Sequence, residues 1–537
     1  MMKPILRSVR TVARLRLMVA AGLVGSVGAA PAPAPKKPDD LVQQMADGYR
    51  GIWYMNQPLK SEHRYKYSGG FATYPQWHMP IAIHVAAQRK TFFVYGGSAG
   101  NISERNDELQ HLVSYYDHAT GTVPRPVRLL QKRTEDAHDN PTLSIDAAGH
   151  LFVFSSAHGT GRPSYLHRSK RPYDISEWER IEKTNFSYTQ PWYLPQSRRF
   201  LFLHTLYKNG ERTLNWKTSA DGRTWTAPQL LAHIEKGDYQ ITAREGDTDR
   251  LATAFDLHPD HGREGTGLNY RTNIYYAETR DAGATWRNAA GERLTPPLTS
   301  ALNPALVRDY RAEDLSVYLK ELAFTAEGRP VLLFLTSKGF NPGSESGPFQ
   351  WYTARWTGQT WEVRPFTTSD HNYDHGTIYI ETDGTWRVIA PTAPGPQPWG
   401  TGGDMVMWTS RDQGAAWQKV KTLTSNSRYN HTYARKPVNA DPEFYALWAD
   451  GSPLEATPSS LYFATKDGRV FRLPTQMTTA TVKPCASRAA TSEAVLRESL
   501  AVVARIGAQD RVTKCQCVPG SAASEKLTIG RHDLAIC

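Results

Sequence analysis

Cysteine is missing from almost the whole chain: Cys485, Cys515, Cys517 and Cys537 are its only four. Residues 38–474 must therefore hold together without a disulfide, and residues 475–537 read as a tail of unknown role, separate from the fold. Cys515 and Cys517, one residue apart, match neither a paired zinc knuckle nor a thioredoxin-like motif. Long apolar runs are equally scarce. One, Leu17–Ala30, follows Lys3, Arg7, Arg10, Arg14 and Arg16 and ends in small residues before Pro31–Pro35. That is the order of a secretory signal, and the run is short of the roughly 20 apolar residues of a spanning helix. Residues 1–30 are expected to be a signal peptide and 31–47 a linker. The mature protein is expected to be secreted or periplasmic, without a membrane span.

A decisive excess of charge is also lacking. The formal +11 includes the five cations of the signal and a surplus of three in residues 475–537, which leaves +3 for the body. Such a body is no polycation, so a nucleic-acid partner is not expected. Helical periodicity is nearly absent between residues 48 and 474. In its place Trp-rich turns recur. Thr279, Asp281, Gly283 and Trp286 fit the Asp-box hairpin S/T-x-D-x-G-x-x-W, as do Ser410, Asp412, Gly414 and Trp417; Ser219, Asp221, Gly222 and Trp225 form a version one residue shorter. Asp and Ser/Thr oxygens bind turn amides there, and Gly supplies a positive φ.

Hairpins of alternating apolar strands begin at seven places, Tyr74, His138, Tyr188, Tyr239, Tyr318, His375 and His431, at intervals of 64, 50, 51, 79, 57 and 56 residues. Each opens on a polar-aromatic cluster and turns at a loop containing Gly or Asp. Repeats of this length, without helices, predict an all-β, seven-bladed β-propeller with Asp-box (BNR) hairpins over residues 48–474. Circular closure leaves no free sheet edge, so a monomer is expected.

In a propeller the innermost strand of each blade lines the axis, so the residues just before those strands converge on one mouth. They include His138, Asn140, Tyr188, Tyr239, His375 and His431, with Arg271, His371, Tyr373, Arg428 and Arg435 on neighbouring loops. The hairpin Asp139–Ala157 turns at Ala147 and Ala148, which places His138 opposite His158, about 5 Å away. The next hairpin turns near Gln196 and Ser197 and sets Tyr188 opposite the neighbourhood of His204. A Tyr and two His beside cationic groups suit proton abstraction from the carbon next to a uronate carboxylate. Arg, His or Asn would neutralise the carboxylate, and Tyr or His would move the protons. Hydrolysis would instead need two carboxylic acids across the bond, and Asp139, Asp238, Asp370 and Asp374 keep it open. A sialidase needs three Arg, for which Arg271, Arg428 and Arg435 are candidates, but no Glu is placed to activate a mouth Tyr. A non-catalytic glycan-binding propeller is the third reading.

The stretches DAHDNPTLSID, SSAHG, SYTQP, GDYQIT, GLNYRTNIYY, TSDHNYDHG and SRYNHTYAR resemble the BNR-4 repeat group. More distantly the chain resembles the propeller polysaccharide lyases that cut ulvan or the rhamnose-glucuronate linkage of gum arabic, over roughly Gly48 to Pro474. The resemblance implies that His138 and His158 match a paired His, that Tyr188 matches a catalytic Tyr acting as base and acid, and that Tyr239 contacts substrate. Those lyases carry a carboxylate-neutralising Arg shortly after the Tyr; here that strand holds His204, with Arg212 eight residues on. The expected function is a lyase acting on an acidic polysaccharide or oligosaccharide. No cofactor is expected to be required. The HDN and DHNYDH runs offer His and carboxylates to a divalent cation such as Ca2+, but no spacing demands one, and no metal ligand is assigned.

Overall fold

The computed structural model describes residues 41–70, 75–100, 102–104, 108–136, 138–259 and 269–487, with the strands Lys526–Ile529 and His532–Ala535. The expected signal peptide, Tyr74, Cys515, Cys517 and Cys537 lie outside the described residues.

Seven antiparallel sheets stand in a ring, each with its first strand innermost. Those inner strands are Ala82–Val85, Pro141–Ile145, Ser187–Leu194, Gln240–Arg244, Ser316–Phe324, Thr377–Ile380 and His431–Arg435, in blades 1 to 7. The chain is a seven-bladed β-propeller, as its repeat predicts. Middle strands such as Leu201–Leu203 and Val331–Leu335 are buried on both faces, because each blade is sandwiched between its neighbours. This explains why they read as continuous apolar runs rather than alternating ones.

The turns behave as their composition demands. Thr279 Oγ1 accepts the Gly283 amide at 2.9 Å and Asp281 Oδ1 the Thr285 amide at 2.8 Å; Ser410 and Asp412 do the same for Gly414 and Ala416. Gly283 has φ +88, and a Cβ there would stand 2.3 Å from Trp216 Nε1, so only glycine lets this turn lie against the preceding blade.

The sheets extend beyond the 48–474 limits expected from the repeat. Leu41–Met45, inside the expected linker, adds an outer strand to blade 1 by pairing with Val127–Gln131. Thr481–Val482 pairs with Val123–Pro124, and Cys485–Ala486 pairs with Val470–Arg472 of blade 7. These short segments carry no repeat signal because they are too brief to show alternation. They reinforce the joint where the ring closes. There the His84 amide donates to Val438 O, the Val438 amide to Ala82 O and the Tyr49 amide to Pro474 O, at 2.8–2.9 Å. Buried Met477 anchors the returning segment. A chain ending at Pro474 is therefore expected to melt a few degrees below one ending at Ser487, measured by calorimetry; equal melting temperatures would show that the joint does not need residues 475–487.

Candidate active site

The inner strands start at one end of the axis, and there blades 2 and 3 bring His138, His158 and Tyr188 together. Leu151 pairs with Ile145 and Ser155 with Pro141, the register read from the turn at Ala147 and Ala148. Just past the paired residues the His138 and His158 rings stack with centroids 4.1 Å apart. Asp136 fixes both. Its Oδ1 lies 2.6 Å from His138 Nδ1 and its Oδ2 2.9 Å from His158 Nδ1. Arg162 donates to Asp136 Oδ2 at 2.8 Å and to both carboxylate oxygens of Asp139, which also pairs with Lys132. Burial opposes a charge on Asp136, but the two imidazoles hold its carboxyl well below the usual range. Burial, helped by His158, pushes the His138 imidazole down to about 4, so it is neutral at neutral pH. A neutral ring that donates from Nδ1 to Asp136 has an Nε2 lone pair, which meets the Tyr67 hydroxyl at 3.1 Å. His158, bound to the same carboxylate by Nδ1, is the more exposed of the two rings, its side chain 32% exposed.

Tyr188 sits at a bulge. Ser187 pairs with Thr205 but Gln190 with Leu203, and Tyr188 takes φ +48, a conformation that a bulky L-residue adopts at a cost. The bulge turns the phenol out of the ladder toward His138 and His158, where it is buried, 1% exposed. Its ring lies 6.2 Å from both His138 and His158. Tyr207 OH donates to Tyr188 OH at 3.4 Å, and Tyr239 OH lies at the same distance. Arg212, from the next strand of blade 3 (Glu211–Ser219), stands 4.4 Å above the Tyr239 ring. Gly237, φ +100, allows this approach, since a Cβ there would meet Arg212 O at 2.2 Å. Burial opposes the Arg212 charge, but the phenols of Tyr239, Tyr207 and Tyr188 raise its pKa all the same. Its Nε and Nη1 are buried without a hydrogen-bond partner. Arg271 lies 4.8 Å from the Tyr239 ring and donates to Tyr373 OH at 2.6 Å.

Two segments with no repeat signal complete the mouth. A hairpin of Tyr54–Pro58 and Tyr65–Gly69 stands outside the seven sheets and crosses the opening. Tyr54 OH is 3.1 Å from His138 Nδ1, and the Tyr67 ring stacks on Tyr373 at 4.1 Å. Lys66 is buried in this hairpin. Desolvation holds its ammonium well below the usual range, and the positive charges of Arg271 and Arg212 add to the effect. Then residues 75–81 pass through the axis. Trp77 stacks flat under Tyr239 at 4.7 Å, and His78 packs 5.4 Å from Tyr188. Tyr54, Lys66, Tyr67, Trp77, His78, Asp136, Arg162 and Tyr207 were not among the candidates. A signal existed only for Asp136, two residues before His138 in the DAHDN run, and for the Y-x-Y alternation at Tyr65 and Tyr67.

The remaining candidates are placed elsewhere, because the mouth is gathered over blades 2 to 4 rather than shared by all seven. Asn140 lies beneath, its amide 3.4 Å from His78 Nδ1. His204 falls on the strand face that meets blade 2, where it stacks on Phe202 at 4.6 Å and bonds Phe202 O. Its ring is thus packed between phenylalanines, whereas Arg212 stands over the Tyr239 ring. Burial pushes the imidazoles of His204, His371 and His431 each down to about 3. His371 accepts the Tyr373 amide and bonds Lys66 O, which ties the crossing hairpin down. His431 accepts Trp448 Nε1–H inside blade 7. His375 is buried beside Arg435 in the axis. Arg428 is exposed on Tyr429. His204→Ala is accordingly expected to lower stability by roughly 2–4 kcal/mol, as a vacated buried ring does, and to leave substrate affinity unchanged. A fall in affinity with stability intact would return His204 to the site.

The class that the fold defines is a seven-bladed β-propeller, with a Tyr, a carboxylate-linked His pair and a buried Arg gathered at one end. Residues 107–369 match the model of the BNR repeat-containing family. Over 323 residues the chain is 26% identical to Ulvan Lyase-PL25 of Pseudoalteromonas sp. (strain PLSV), a match that spans 52% of this chain and 64% of that protein. It is 27% identical to an ulvan lyase of Nonlabens ulvanivorans, over 60% of this chain and 72% of that one. With an ulvan lyase of Alteromonas sp. (strain LOR) it shares 24% identity over 73% and 86% of the two chains. The solved PL25 ulvan lyase superposes with a TM-score of 0.61 at 19% identity, covering 80% of this chain and 96% of the other, and so shares its fold.

Proposed function

We propose that this protein is an exported polysaccharide lyase that cleaves a uronic-acid-containing polysaccharide by β-elimination. The observation that carries the reading is the Tyr188 phenol, turned out of its ladder by a bulge and flanked by the Asp136-linked His pair and by buried Arg212. The residues divide the work. Arg212, with Arg271 and Lys66 near it, receives the uronate carboxylate and neutralises it, which acidifies the proton on the adjacent carbon. Tyr188, as the phenolate left once His158 has taken its hydroxyl proton, removes that proton, and the resulting enediolate collapses with cleavage of the bond to the glycosidic oxygen. The same phenol returns the proton to the departing oxygen. His158, the more exposed ring, holds the Tyr188 hydroxyl proton, while Asp136 keeps both imidazoles oriented.

The competing chemistries fit the site less well. Asp139 is locked between Lys132 and Arg162, Asp370 accepts the Trp399 amide, and Asp374 accepts the amides of His371 and Gly402. Asp238 is buried and accepts the Ile234 amide. Of these four carboxylates Asp139, Asp370 and Asp374 are held by these partners, while Asp238 keeps one oxygen without a hydrogen bond. The three arginines of a sialidase are not assembled either. Arg271 lies in the mouth and Arg428 on an exposed loop, while Arg435 lines a cavity of about 560 Å³ at the opposite end of the axis. The curated relatives act on ulvan by name, and a neighbouring solved structure holds -[GlcA(1-4)Rha3S]-. Glucuronate-rhamnose polymers are thus the first substrates to try. Incubation should produce the ultraviolet absorbance of an unsaturated uronate together with new reducing ends. Reducing ends without that absorbance would mean hydrolysis, and binding without either would mean a lectin.

A further inference from the structure

We propose that His84, His118 and Asp441 form a second site, a divalent transition-metal site, Zn2+ by its donor set, that clasps blade 7 to blade 1. His84 lies on the inner strand of blade 1, the strand whose backbone bonds Val438 of blade 7. His118 follows the third strand of blade 1, Gln110–Asp117, and Asp441 lies in the turn that precedes the second strand of blade 7, Ala446–Asp450. The three side chains thus come from both sides of the joint that closes the ring.

One donor atom from each residue lies within 4.8 Å of the others. His118 Nδ1 is 3.2 Å from Asp441 Oδ1, and His84 Nε2 is 3.8 Å from Asp441 Oδ2. Donors placed about 2.0–2.1 Å from a tetrahedral ion are separated by roughly 3.4 Å, so the spacing is close to what zinc requires. The far side of each ring is already arranged. The buried Thr91 Oγ1 lies 3.2 Å from His84 Nδ1 and 2.8 Å from His118 Nε2. Where a ring nitrogen donates to this hydroxyl, the other nitrogen of that ring, His84 Nε2 or His118 Nδ1, keeps its lone pair for a metal beside the carboxylate. His118 Nδ1 is buried and has no hydrogen-bond partner. Asp441 Oδ1 also accepts the Glu443 amide at 2.8 Å, which steadies the turn, and the Asp441 side chain is 27% exposed, so a water can complete the shell. Imidazole nitrogens select zinc or a related transition ion over Ca2+ or Mg2+.

The catalytic trio Asp136, His138 and His158 is not an equivalent site. Both of its imidazoles are spent on one carboxylate, and the Arg162 guanidinium, 2.8 Å from that carboxylate, repels a cation.

The test uses the full chain, stripped with chelator, reloaded with Zn2+ and desalted. We expect one zinc per chain by elemental analysis and a melting temperature several degrees above the stripped form. His84→Ala and His118→Ala should lose both the metal and the shift, while Asp136→Asn should keep them. Should the His variants fold poorly, Asp441→Asn alters one atom on a partly exposed turn, and it should fold yet fail to retain zinc. Substoichiometric zinc with no change in melting, or a full complement of zinc in Asp441→Asn, would overturn the proposal.

Discussion

Tyr188→Phe is expected to reduce turnover by at least about 10²-fold while substrate affinity and melting temperature barely move. The change removes a single oxygen. Tyr207 OH and Tyr239 OH, which neighbour that oxygen, lie at 3.4 Å, too long for either to contribute much to stability. The ring itself, packed 5.4 Å from His78 and 5.1 Å from Tyr239, stays where it is. A purely structural Tyr would show the reverse: activity intact, with any loss confined to stability. Initial rates from unsaturated-uronate absorbance, oligosaccharide affinity by calorimetry and a thermal melt separate these cases. Full activity in Tyr188→Phe on a polymer that the wild type cleaves would move the proton transfer to His158, whose ring lies 6.2 Å from Tyr188.

The parts of this site that were legible in the sequence share one property, which is that hairpin geometry determines them. Two Ala at a turn set the pairing of Pro141–Ile145 with Leu151–Ser155, and with it the meeting of His138 and His158. The turn near Gln196 similarly pairs Trp192 with Leu201. What failed was the assumption that seven similar blade starts contribute equally. His371, His375 and His431 precede or open inner strands just as His138 does, yet each is buried among partners other than His138, His158 and Tyr188. Which blade start becomes a site depends on what covers it, and the cover is the hairpin Tyr54–Gly69 together with residues 75–81, which have no repeat to mark them. The bulge at Tyr188 was equally hidden, since one extra residue leaves the alternation of its neighbours readable. It also explains His204. Strand alternation sends that ring toward Phe202 and Phe186, between blades, and gives the cationic position to Arg212, which lies across the hairpin from Tyr207.

Arg212→Met is expected to cut kcat/KM on a uronate polymer by about 10²–10³-fold and yet to leave the fold as stable as before, or more so. The two halves of this expectation come from the same fact. A guanidinium 6% exposed has lost its water, and its Nε and Nη1 recover no hydrogen bond from the protein. Stacking on Tyr239 at 4.4 Å and the company of Tyr207 return only part of that desolvation cost. Met fills a similar volume without the charge, so stability should hold or rise. A residue kept in this state is accounted for by a ligand anion. When the uronate carboxylate arrives, the unpartnered nitrogens gain charge-assisted hydrogen bonds, and these strengthen further as negative charge builds on the carboxylate during proton abstraction. The loss should therefore appear in kcat as well as in KM. Arg212→Lys keeps the charge but not the planar fork, and should recover only part of the activity. A stability loss of several kcal/mol in Arg212→Met with catalysis otherwise normal would make Arg212 a packing residue, and the neutralising role would pass to Arg271 and Lys66.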